Sequence, residues 1–175
     1  SFDDEDISHQ CTPLLNEKIL LAVHANSKCN AGLEEYRIMP DDLFNTNFDF
    51  SSVPQISIKK FKDEKFILLK NGHNMYKHAS KVFKESGFTP QISFRLDQLL
   101  TSYALAASNN GVCFVTDTLF KYHRFRDNVV LYNIKGSGSR TLYIAQKNNR
   151  FTTHAMSEFI NISKKALASK NDDVS

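Results

Sequence analysis

The stretch from Ser57 to Asp117 constrains this chain most. Its residues order a strand, loop, helix, strand, helix and strand, with junctions at Asn71-Gly72-His73-Asn74, Gly87, Asp97 and Gly111. Alternating strands and helices with short connections predict an α/β unit, whose ligands sit where strand ends meet helix N-termini. Lys65–Leu69 is a continuous apolar strand of the kind buried on both faces. The helix after Asn74 puts Met75, Tyr76, Ala79, Val82 and Phe83 on one face and stops at Ser86-Gly87. A strand follows Pro90 in which Ile92, Phe94 and Leu96 alternate with Gln91, Ser93 and Arg95. Asp97 is a good N-cap for a helix whose apolar face carries Leu99, Leu100, Tyr103, Ala104 and Ala107. The run Val112–Val115 is a buried strand, and Thr116-Asp117-Thr118 caps a short helix reaching Tyr122.

Outside this stretch, Lys18–Val23 predicts a covered strand. From His24 to about Pro54 the chain is irregular and too long for an ordinary connection, which predicts a surface excursion with a helical turn near Asp41-Asp42-Leu43-Phe44. Strands Val129–Ile134 and Thr141–Ala145 flank a Gly136-Ser137-Gly138 turn. A closing amphipathic helix from about Thr153 is expected to bury Met156, Phe159, Ile160 and Leu167, and the tail from Ser169 is expected to fray.

Composition bounds what this frame can do. With 175 residues, 41% of them hydrophobic and 23% charged, the chain can bury one core or two small lobes. Fourteen Phe and no Trp speak of packing rather than chemistry. A net charge of +3 spread along the chain leaves no concentrated nucleic-acid footprint. The basic cluster Lys121-Tyr122-His123-Arg124-Phe125-Arg126 reads as a solvated helix end. Three widely spaced cysteines, Cys11, Cys29 and Cys113, argue against a disulfide framework and for a reducing compartment. No apolar run approaches the roughly 18 residues of a membrane span, and no signal peptide is expected at the acidic opening Ser1–Asp6, which lacks Met and reads as that of a fragment.

In order, these motifs resemble the effector-binding domain of LysR-type transcriptional regulators, itself similar in fold to the periplasmic binding proteins. The segment from Pro13 to His24 is similar to the family's strand leading into a His-Pro-Leu loop. Ile58–Leu69 resembles its "L-x-x-L-x-x-x-P-hydrophobic-I" element. Glu85-Ser86-Gly87-Phe88-Thr89-Pro90 resembles "G-F-x-P", and Ala106–Thr116 resembles "V-x-x-G-x-G-I-x-hydrophobic-hydrophobic-P". Three departures stand beside the match. The family's winged helix-turn-helix and the first strand-helix-strand portion of the effector domain are absent. The stretch after His24 is longer than usual, and Asn109 and Thr116 replace the usual Gly and Pro.

The resemblance implies an α/β, periplasmic-binding-protein-like two-lobe domain with mixed sheets flanked by helices and the first lobe incomplete. Residues 57–117 would form lobe II, the core α/β unit, and residues 1–56 and 118–175 would form parts of lobe I and the hinge crossings. It implies a bacterial, cytoplasmic, homodimeric regulator whose small anionic effector binds between lobes. DNA would be contacted only through a helix-turn-helix domain absent from this chain. No cofactor, metal or membrane partner is expected. The alternative is a solute-binding protein of the same fold serving transport.

The candidate ligand-binding residues are Gly72, His73, Asn74, Asp97, Gln98, Thr116 and His24. A strand end facing a helix start offers free N–H groups and a positive dipole end, so Gly72-His73-Asn74 can hold an anion, although a plain turn also explains it. By resemblance the matching turn lines the effector cleft. Asp97 and Gln98 open the next helix, where Asp97 is first a structural cap. Thr116 puts a hydroxyl at the end of the central strand but can equally cap. His24, with Asn26, resembles the family's hinge and is otherwise an ordinary loop residue. Ser108, Cys113 and the six His give no nucleophile elbow or triad spacing. His73 and His78 are too far apart for an i, i+4 metal pair, so no enzymatic activity is expected.

Overall fold

The computed structural model describes residues 9–44, 47–125, 128–148 and 152–168. The acidic opening, Arg126 and the tail from Ser169 lie outside the described residues. The chain divides into two compact units, a larger one of Lys18–Gly138 and a smaller one of Ser1–Glu17 with Ser139–Ser175. In the larger unit residues 18–56 and 118–138 join residues 57–117, the stretch expected to form lobe II. Strand pairing is the reason: the second half of β1 lies between β5 and β6, and Ile56 bridges to Ile134.

In the larger unit the strand order is β2-β6-β1-β5-β3-β4. The strands are β1 (His9–His24), β2 (Arg37–Ile38), β3 (Lys65–Leu69), β4 (Gln91–Leu96), β5 (Val112–Thr116) and β6 (Val129–Tyr132). β3 runs parallel to both β4 and β5, whereas β1 is antiparallel to β5 and β6. Hence β3, β4, β5 and β6 all end at one edge of the sheet. Side chains alternate across it as a period of two requires. Ile19, Leu21 and Val23 face one layer with α2 (Asn74–Ser86), while Leu20 and Ala22 face the other with α1 (Pro40–Leu43), α3 (Leu99–Ala107) and α4 (Thr118–Lys121).

Aromatic rings fill both layers. Phe66 and Phe83 meet edge-on at 5.2 Å and Tyr103 meets Phe120 at 5.5 Å, geometries favoured by the ring quadrupole. The expected strand over 65–69 and helix from Asn74 are present, and α2 buries Met75, Ala79, Val82 and Phe83. It stops at Gly87, whose φ of 61° supplies the left-handed cap.

Elsewhere the expectations need correction. The excursion after His24 is not merely surface. Leu43 is fully buried, and Asn30 is buried and satisfied, its Nδ2 donating to the carbonyls of His24 and Ala25 at 2.9 and 2.8 Å while its Oδ1 accepts from Tyr132 at 2.8 Å. α3 buries Ser102, Tyr103 and Ala106, and Leu100 stands 55% exposed. The inward face accommodates the Ser102 hydroxyl because it donates to the Gln98 carbonyl at 3.1 Å. β4 alternates as read, yet Ile92 and Phe94 are exposed, because β4 is the edge of the sheet and only Leu96 reaches the core.

In the smaller unit β7 (Ser139–Lys147) pairs with β1. Arg140 Nε donates to Glu17 Oε2 at 2.6 Å, with both side chains mostly buried. The closing helix α5 (His154–Ala168) forms as expected, but Met156 and Phe159 are exposed; Ile160 and Leu167 are only half-buried.

Candidate functional site

The shared edge where β3, β4, β5 and β6 end carries most of the candidate residues. After Leu69 the chain turns through Lys70-Asn71-Gly72, and Gly72 takes φ 103°, a conformation that disfavours any side chain. His73 is the N-cap residue of α2 and makes no side-chain cap, so the first N–H groups of the helix are left to other acceptors. The Lys70 N–H donates to the Leu96 carbonyl at 2.8 Å, tying this turn to the end of β4. Two turns, 70–74 and 97–98, are thereby brought side by side.

Asp97 is not the cap of α3. Gln98 holds that position, without a side-chain cap, and Asp97 Oδ2 accepts from Lys70 Nζ at 2.7 Å. The cross-strand partner outcompetes local capping because Lys70 and Asp97 leave adjacent parallel strands at the same level. This ion pair is more than half exposed and adds little stability. Its effect is to set a positive charge against the Asp97 carboxylate beside the two helix starts. Neither α2 nor α3 has an acidic residue in its first turn. Arg95 stacks 5.6 Å over the ring of Tyr76. Hydrogen bonding to Ser80, and then to Arg95, holds the Tyr76 phenol below its ordinary value. The edge therefore presents two uncapped helix N-termini and a surplus of donors, an arrangement suited to a carboxylate or phosphate.

Thr116 lies at the end of β5, 2% exposed, with its Oγ1 3.0 Å from that of Thr118. The two hydroxyls satisfy each other. His24 is not brought to this edge. It ends β1 opposite Val129, at the start of β6, and its Nδ1 accepts from the Asn26 N–H at 3.2 Å. The antiparallel course of β1 puts it at the far end of the sheet.

Three residues at the edge were not singled out as site residues. Asp117 is 3% exposed, and its Oδ1 accepts from the Lys18 N–H at 2.7 Å, clamping the end of β5 to β1. Ser137 Oγ sits 2.8 Å from the Ile19 carbonyl and 2.9 Å from that of Ile134. Asn133, 2% exposed, leaves its Oδ1 without a hydrogen-bond partner among the described residues. A buried acceptor of that kind costs about 1–3 kcal/mol until something supplies a donor. The signal for Asn133 was its position directly after the apolar run of β6.

The basic cluster is tied down within the fold. Lys121 lies 3.6 Å from Asp117, and Arg124 lies 3.5 Å from Asp41 and 4.8 Å over the ring of Phe44. All three cysteines are free thiols. No helix among the described residues is long and apolar enough to cross a membrane.

Comparison with known proteins agrees with this architecture. The model of the LysR substrate binding domain matches residues 2–168. The chain belongs to the LysR substrate-binding domain family. A related protein of Bacillus subtilis (strain 168), the uncharacterized HTH-type transcriptional regulator YcgK, is 29% identical over 177 residues. The match takes in 98% of this chain but 51% of that protein, so the chain spans about half the length of its relative. Among solved structures, the effector binding domain of QuiR in complex with shikimate superposes with a TM-score of 0.68 at 14% identity, over 98% of this chain and 71% of that one. The Synechocystis CcmR regulatory domain in complex with 2-PG gives 0.72 at 13% identity, over 95% and 71%. The BenM effector binding domain with benzoate gives 0.64 at 18% identity, over 97% and 68%. At these identities the structures establish the LysR-type fold, of which this chain is a part.

Proposed function

We propose that this chain is the sensing part of a LysR-type transcriptional regulator and that the edge formed by Gly72-His73-Asn74 and Asp97-Gln98 receives a small anionic effector. The observation that carries the reading is the pair of helix N-termini without side-chain caps, α2 and α3, tied together through Lys70, which also pairs with the Asp97 carboxylate. Shikimate and benzoate, held by the QuiR and BenM domains, are carboxylates, which supports the same chemistry here. Asn133 at the end of β6 would supply an amide contact, whereas the Thr116 hydroxyl is already engaged by Thr118. His24, at the opposite end of the sheet, takes no part in this reading.

Effector binding would act by favouring one arrangement of the regulator over another, since a ligand shifts an equilibrium only through its differential affinity for two states. The domain would bind its effector without turning it over. It would work as a cytoplasmic homodimer, contacting DNA through a helix-turn-helix carried outside this chain, as the HTH-type relative of twice the length suggests. That relative supports sensing for transcription over solute transport.

The double variant His73→Ala with Asn74→Ala tests the site. With benzoate, shikimate and a phosphate ester as probes in calorimetry, the parent chain should bind at least one saturably. The variant should bind that probe at least about tenfold more weakly, the loss expected for one charge-assisted hydrogen bond, at an unchanged Tm. Unaltered affinity in the variant would remove the edge from consideration.

A further inference from the structure

The opposite edge of the same strands holds a cavity of about 680 Å³. This lies within the range of small-molecule sites. It opens at the amino ends of β3, β4 and β5, where Lys65 and Gln91 stand side by side in register and Gly111 leads into β5. A side chain at Gly111 would force the backbone to shift, since at φ 138° a Cβ would sit 2.5 Å from the Lys65 carbonyl oxygen. Asn109, just past the α3 C-cap Ser108, takes the left-handed conformation at φ 60° and lines the cavity.

The wall is mixed in a particular way. Some of its groups are already spent: Glu64 Oε1 accepts from Ser27 at 2.9 Å, Ser93 Oγ donates to the Phe66 carbonyl at 3.3 Å, and Asn110 Nδ2 donates to the Ser108 carbonyl. The side chains of Asp63, Lys65, Gln91 and Asn109 have no hydrogen-bond or ionic partner among the described residues. One carboxylate, one ammonium and two carboxamides are thus left to engage a ligand. Beside them the edge strand exposes Ile92 and Phe94, at 37% and 43%.

We propose that this cavity binds a free α-amino acid with an apolar side chain, Asp63 taking the ammonium, Lys65 the carboxylate, and Ile92 and Phe94 the side chain. A phosphate or a bare dicarboxylate would meet two carboxylates, Asp63 and Glu64, against one lysine. A purely apolar ligand would desolvate four unpaired polar groups at a cost. A zwitterion matches both signs of charge, and the carboxamides of Gln91 and Asn109 can donate to or accept from either end. The site is distinct from the anion-binding edge, which lies where the same strands finish.

An amide-resolved NMR titration of this chain with leucine, phenylalanine and glycine, and with N-acetylleucine and isoamylamine as single-charge analogues of leucine, decides the matter. Leucine or phenylalanine should saturate shifts at Gln91, Asn109 and Gly111, with both analogues and glycine at least about tenfold weaker, as loss of one charged partner or of the buried side chain implies. Asp63→Asn and Lys65→Met, both at exposed positions that leave folding intact, should each weaken leucine by a similar factor, while His73→Ala with Asn74→Ala should leave it unchanged. The proposal is overturned if no amino acid shifts those amides, if the analogues bind as well as leucine, or if shifts fall at residues 72–74 alone. It is equally overturned if Asp63→Asn and Lys65→Met bind like the parent.

Discussion

At the residue scale, polar side chains at the carboxyl edge divide by whether a partner sits on a neighbouring strand. Asp97 looked like a helix cap because Asp before Gln-Leu-Leu is a good local signal. It pairs with Lys70 instead, 27 residues away, and no one-dimensional pattern contains that distance. The same limit hid the clamp between Asp117 and Lys18, whose partners are 99 residues apart. Cys113, by contrast, was readable as a small buried hydrophobe because its apolar neighbours are adjacent in sequence. Its burial pushes the thiol up to about 12, and burial, with the nearby Glu64, pushes Cys29 up to about 11. An unfolded thiol ionises near pH 8.5. Between that pH and the folded values the unfolded chain carries fewer protons than the folded one, so stability falls as pH rises. Stability from these thiols is complete below about pH 8.5 and should erode from there towards pH 11 for Cys29 and pH 12 for Cys113. A thermal melt series should show Tm dropping over that window, and Cys113→Ala should flatten the drop. An equal slope in parent and variant would exclude Cys113 as its source.

At the element scale, the strands and helices that repeat locally were legible, and their burial was less so. β3 and α2 have the expected limits because a continuous apolar run and a 3.6-residue stripe each report burial directly. β4 has the same alternation as a half-buried strand, yet it is an edge, and edge position is set by the order of the sheet rather than by the strand's own residues. α5 has an apolar stripe, but Phe159 is 64% exposed and Ile162 is 56% exposed. Amphipathicity says that a face wants covering, not what covers it. The glycines at element ends separate conformational from steric demand. Gly87 has φ 61° with open space around its Cβ position, whereas Gly111 has φ 138° and a backbone oxygen 2.5 Å from it. Gly87→Ala should cost about 1 kcal/mol, the left-handed penalty for a side chain. Gly111→Ala should cost more than about 2 kcal/mol, because β3 and β5 must part or distort. Denaturant unfolding measures both, and equal costs would contradict the close approach of β5 to Lys65.

At the scale of the whole molecule, the order of motifs from Pro13 to Thr116 was enough to indicate the LysR-type effector domain, because the spacing of strand ends survives where individual residues change. The grouping of residues 18–138 into one compact unit was not legible. It depends on β1 crossing between β5 and β6, a long-range antiparallel pairing that gives no periodic trace of its own. That topology also decides the candidate site, collecting residues 72–74, 97–98 and 116 at one edge and sending His24 to the other. The proposed anion site lies where α2 and α3 begin. Titrating the chain with benzoate and shikimate while following backbone amide resonances tests it most directly. Saturable shifts centred on Gly72, His73, Asn74, Gln98 and Leu99, weakening as salt is raised, are expected. Saturable binding whose shifts leave those five amides unmoved would contradict it.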